Sequence, residues 1–79
     1  MMTIKEALDE LQDEAWAKSA QGAMTRGELC HYFDSSFVIE DYLDGFTWAE
    51  IRNMYSYDII VTANNILAEI RFRMALVNA

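Results

Sequence analysis

Of the side chains in this chain that could do chemistry, His31 stands first, because it is the only histidine. It follows Glu28 by three residues, and Glu-x-x-His on a helix is the spacing with which di-iron carboxylate bundles hold metal. Such a site also needs a second Glu-x-x-His pair and two further glutamates, so only a pair of chains could complete it. As a catalytic base His31 would need an activated nucleophile within reach. Cys30 is adjacent in sequence, yet neighbours on a helix point about 100° apart, and no nucleophile motif surrounds either residue. Cys30, between Leu29 and His31, reads instead as a buried, inert thiol. The run Glu40-Asp41-Tyr42-Leu43-Asp44-Gly45 has the acids and glycine of a calcium loop. An EF-hand, however, requires an oxygen ligand where Tyr42 stands and a glutamate where Ile51 stands. There is no glycine-rich phosphate loop. The residues therefore predict no catalytic group, no metal ligand and no cofactor, and hence a non-enzymatic protein.

Recognition chemistry is better represented. From Glu28 to Glu50 the chain carries six acids and no lysine or arginine, and eight of its ten aromatics lie between Tyr32 and Tyr57. Acids steer a basic partner, and half-exposed tyrosines anchor it. Glu28 and Glu50 are engaged in helix starts, as set out below. The expected partner-binding residues are therefore Asp34, Glu40, Asp41, Tyr42, Asp44, Tyr55 and Tyr57. Phe33, Phe37 and Phe46 read as core.

The net charge of −7 over 79 residues supports the same direction. Phosphate binding needs a positive footprint, so no direct contact with nucleic acid is expected, whereas a protein with a basic surface is electrostatically preferred. No run is long and apolar enough to span a membrane. The first turns are interrupted by Lys5, Glu6, Asp9 and Glu10, unlike a signal peptide. The expected location is the cytoplasm, that of a host cell if the chain is phage-encoded.

The elements that must position these residues announce their own starts. At intervals of twenty-two residues the chain repeats an apolar residue, a threonine, two residues and a glutamate: Met2-Thr3-x-x-Glu6, Met24-Thr25-x-x-Glu28 and Phe46-Thr47-x-x-Glu50. Each is a capping box. The threonine oxygen accepts the amide three residues on, the glutamate reaches back, and the apolar residue staples onto Ala7, Leu29 or Ile51. The segments between the boxes share no pattern of polar and apolar positions, so the period does not denote a repeat.

From Ile4 the apolar residues Ala7, Leu8, Leu11, Ala15 and Trp16 recur at helical spacing, and the helix is expected to end near Gly22. The second box opens a shorter element stopping at Asp34-Ser35-Ser36. A third short helix runs from Phe37 to about Leu43 and ends against Gly45. The third box starts a fourth helix at Trp48, with a kink or turn around Tyr55-Ser56-Tyr57-Asp58. A final amphipathic run follows, its stripe formed by Ile59, Ala63, Ile66, Ile70 and Val77 and broadened by Ile60, Leu67 and Met74. The alternative, a strand at Ile59-Ile60-Val61, has no second strand to pair with. With no proline and three glycines, the chain predicts a single all-α domain over residues 1–79. The expected architecture is a small bundle of four to five helices whose last helix is longest and lies centrally or at an oligomer interface. At this size one core is marginal, so a homodimer through the last helix is among the expected partnerships.

Three resemblances bear on function. The stretch from Gly45-Phe46-Thr47-Trp48-Ala49-Glu50-Ile51 to Ile66 resembles a helix-turn-helix unit, but Ile59, Ile60 and Val61 stand where a recognition helix carries basic and amide side chains. The run Trp48-x-Glu50-Ile51-x-x-Met54 is similar to short helical segments of phage tail-assembly chaperones. The whole chain, being small, acidic and helical, resembles phage-encoded inhibitors of host defence such as anti-CRISPR proteins. That last resemblance implies an inhibitor docking on a nucleic-acid-binding surface of a defence complex. The other two imply an oligomeric morphogenesis factor or a degenerate DNA-binding regulator.

Overall fold

Each of the three threonines starts a helix. Thr3, Thr25 and Thr47 hold extended backbone, and each hydroxyl oxygen accepts the amide of the glutamate three residues on at 3.2 Å. Only at Thr47 is the box reciprocal, with the Thr47 amide donating to Glu50 Oε1 at 3.1 Å. The stapled residues Ala7, Leu29 and Ile51 are all buried. The computed structural model describes residues 1–78. It contains α1 (Ile4–Ala20), α2 (Arg26–Leu43), α3 (Trp48–Met54) and α4 (Tyr57–Asn78). No strand occurs among the described residues, and Ile59-Ile60-Val61 is helical. At 22 residues α4 is the longest element.

Two helices end on glycine. Gly22 and Gly45 take φ of +75° and +107°, a region that L side chains enter only with strain. In each case the next amide reaches back to the last turn, Ala23 to the Lys18 carbonyl at 2.8 Å and Phe46 to the Asp41 carbonyl at 3.1 Å. This is the Schellman arrangement that satisfies terminal carbonyls. Between α3 and α4 no glycine is needed, because Tyr55 turns to extended backbone and the Ser56 carbonyl accepts the first backbone bond of the new helix, from the Ile60 amide.

The expected break at Asp34-Ser35-Ser36 does not occur, and α2 runs through it unbroken for 18 residues. The serines spend their hydroxyls on this continuity instead of capping a new start. Ser35 Oγ lies 2.7 Å from its own helix's His31 carbonyl and 3.1 Å from the Ile59 carbonyl of α4. Ser36 Oγ donates to the Phe33 carbonyl at 2.6 Å and accepts from Gln12 Nε2 of α1 at 2.8 Å. Both serines are buried. Small side chains there let α2 approach α1 and α4 closely while leaving no hydroxyl unsatisfied. The core that results joins Leu8 and Leu11 of α1, Val38 and Ile39 of α2, Ile51 of α3, and Ile66 and Ile70 of α4. The Cα envelope is flat, 35 × 35 × 15 Å.

Candidate protein-binding surface

The continuity of α2 decides which of its residues share a face. Cys30, Asp34, Phe37, Asp41 and Asp44 follow one another at intervals of four, three, four and three, the spacing of a single helical stripe. This stripe points away from the side that buries Leu29, Ser36 and Ile39. Four expectations are corrected here. Cys30 is exposed, because one step of about 100° from buried Leu29 carries it off the core. Phe37 is 55% exposed, because in a continuous helix it sits between Asp34 and Asp41. Phe33, on the shoulder of the stripe, is half-buried against Trp16 with ring centroids 5.6 Å apart. Trp16, also expected on the core side, is exposed, and so is Phe46.

The stripe ends at the negative pole of its helix. Glu40 and Asp41 occupy the last turn, Asp44 is the C-cap residue, and no basic side chain lies in that turn. The aligned peptide dipoles already give a helix C-terminus about half a negative charge. The carboxylates add to that potential where stability alone would favour cations.

The seven expected partner-binding residues do not form one patch. Asp34 and Asp44 are exposed on the stripe and enter no side-chain hydrogen bond or ion pair among the described residues. Asp41, on the same stripe, accepts a hydrogen bond from the Tyr55 hydroxyl at 2.5 Å. That bond, burial and the nearby negative charge of Asp41 and Asp34 push the Tyr55 phenol up to about 12. Glu40 is turned toward α1, where Lys5 Nζ lies 3.1 Å from its Oε1. Tyr42 stacks on Trp48 of α3 at 5.0 Å and 28°. Tyr57 stands apart at the start of α4, 79% exposed.

A cleft of about 440 Å³ opens between α1, α2 and α4, with Glu14, Lys18, Tyr32, Glu69 and Arg73 on its walls. Its charges are largely consumed internally. Arg73 forms a two-pronged bond to Glu14, with N–O distances of 2.8 and 2.7 Å, and its Nε lies 3.5 Å from Glu69 Oε1. The Arg73 bond holds the Glu14 carboxyl below its ordinary value, and burial raises the Tyr32 phenol. Among the described residues, no group of three or more histidine, cysteine or acidic side chains could hold a metal ion, and no helix is long and apolar enough to cross a membrane.

A second exposed stripe lies on α4, the helix expected centrally or at an oligomer interface. Opposite buried Ala63, Ile66 and Ile70, the exposed residues Tyr57, Val61, Asn64, Ala68, Phe72 and Ala75 line one side of the helix. Its signal was present in the sequence as a second helical periodicity, masked by the broader core-facing one. Comparisons with protein-family models, with curated proteins and with solved structures return no match.

Proposed function

We propose that this chain is a non-enzymatic, cytoplasmic protein-binding module. Its α2 stripe docks on a basic, nucleic-acid-binding surface of another protein, in the manner of an anti-CRISPR-like inhibitor of a host defence complex. The observation that carries the reading is the placement of Asp34, Asp41 and Asp44 on one outward face, ending at the helix's negative pole, with Phe37 exposed among them. Acids in that position raise the on-rate toward a cationic surface, and an exposed aromatic supplies the desolvated anchor. Asp34, Asp44 and Phe37 are the principal contacts, and Asp41 contributes charge while oriented by Tyr55. Glu40 and Tyr42 support the face from behind through Lys5 and Trp48, and Tyr57 belongs to a different surface.

Affinity capture from lysate of the native host tests this reading. Retention of the partner should fall steeply with salt and be lost when Asp34, Asp41 and Asp44 are all replaced by lysine. Salt-insensitive capture, or capture undiminished in that triple variant, would reject the docking face.

A second reading, an oligomeric assembly factor of the tail-assembly-chaperone type acting through the last helix, is favoured by the apolar residues on the outward side of α4. A helix-turn-helix role has less support, since the exposed start of α4 presents Tyr57 and Val61 and no base.

A further inference from the structure

We infer that α4 pairs with α4 of a second copy, antiparallel and about a two-fold axis, through the stripe Tyr57, Val61, Asn64, Ala68, Phe72 and Ala75. This rests on the oligomer reading above and specifies its face, direction and register.

The stripe is long and free of charge. It spans about 27 Å of helix at 1.5 Å per residue, and on a chain of net charge −7 it carries no ionisable side chain other than the Tyr57 phenol. Tyr57 and Phe72 are exposed by 79% and 61%, whereas covering an aromatic side chain withdraws roughly 150–250 Å² from water. Two aromatics per copy, with Val61, Ala68 and Ala75, give a helix pair that buries less than the roughly 1,200 Å² at which stable interfaces begin, the size of a weak, reversible contact. The protomer has surface to spare. Its accessible area of 5221 Å² exceeds the roughly 4,900 Å² expected of a folded monomer of 9.1 kDa.

A second copy fits because the stripe is complementary to itself when reversed. Antiparallel pairing centred near Ile66 sets Tyr57 against the partner's Ala75, Val61 against the partner's Phe72, and Asn64 against the partner's Ala68. Large side chains thus meet small ones along the whole contact, as close packing requires. Parallel pairing would set Tyr57 on Tyr57 and Phe72 on Phe72, leaving gaps at Ala68 and Ala75. In the antiparallel register the flanking charges also avoid one another, since Glu69 falls beside the partner's Asn65 and Arg71 beside the partner's Asn64. An isologous contact of this kind closes at two copies.

Sedimentation of the full chain, under reducing conditions and at two salt concentrations, tests the inference. A monomer–dimer equilibrium is expected in the micromolar range. It should strengthen with salt, because screening relieves repulsion between two acidic copies; docking on a basic partner must weaken with salt. Val61→Glu alone and Phe72→Lys alone should each leave a monomer of unchanged helicity, both sites being exposed and both new residues good helix formers. The double variant should recover the dimer, since the two positions meet only across the antiparallel axis. A dimer indifferent to the single variants, or a double variant no better than the singles, would overturn this pairing while leaving an oligomer in place. A monomer at millimolar concentration would overturn both. A monomer whose α4 variants lose capture of another protein would assign the stripe to that protein and equally overturn the second copy.

Discussion

Glu14 and Arg73 form a two-pronged ion pair, tying the middle of α1 to the last third of α4 with two bonds of 2.8 and 2.7 Å. Its side chains remain 47% and 25% exposed, so solvent screens it and its contribution is at most about 1 kcal/mol. The carboxyl is held low chiefly by that bond, which fixes the sign of its pH dependence. A depressed carboxylate adds stability above its unfolded value, and the addition is lost as pH falls through the folded value. Glu14→Gln should therefore lower unfolding stability by up to about 1 kcal/mol at neutral pH, and the deficit should vanish in acid. Urea titrations of both proteins at the two pH values measure it; an undiminished gap in acid would mean that packing, not charge, holds the contact. The pairing was not legible in the sequence, where Arg73 stands fifty-nine positions from its partner. Which polar residues meet across helices depends on crossing geometry, which periodicity does not encode. Cys30 and Phe37 depart from expectation for a related reason: each lies beside buried neighbours in sequence, but the helix turns it outward.

At the scale of elements the starts were readable and one continuation was not. Thr3, Thr25 and Thr47 cap as their spacing dictates, because an N-cap is local chemistry within four residues. Ser35 and Ser36 have the same local chemistry but different neighbours. The carbonyl of Ile59 and the side-chain amide of Gln12 arrive from other helices to satisfy them, and that tertiary supply overrides the capping tendency. The acid-bearing end of α2, with no basic side chain in its last turn, opposes the helix dipole. Asp44→Lys should raise thermal stability by about 0.3–1 kcal/mol, the usual worth of a favourable charge at a helix C-terminus, while weakening partner capture. A variant less stable than the parent would show that Asp44 serves the fold and not the face.

At the scale of the whole molecule, the all-helical class and the length of α4 followed from the missing proline, the few glycines and the extended final periodicity. The flat envelope of 35 × 35 × 15 Å did not, since shape depends on how four helices cross. Flatness leaves so small a core that two helices keep a full exposed stripe each, one acidic and one apolar. The stripes share no residue, so the two proposed occupants, a partner on α2 and a second copy on α4, would compete for none.

The single thiol makes the two proposed occupancies separable by chemistry. Cys30 is exposed one turn before Asp34 on the acidic stripe and absent from α4, so its alkylation rate acts as a footprint of one face alone. A basic partner seated on α2 should slow the reaction severalfold, whereas raising the protein's own concentration should leave the rate unchanged. Slowing by self-concentration would place the acidic face inside the homo-oligomer.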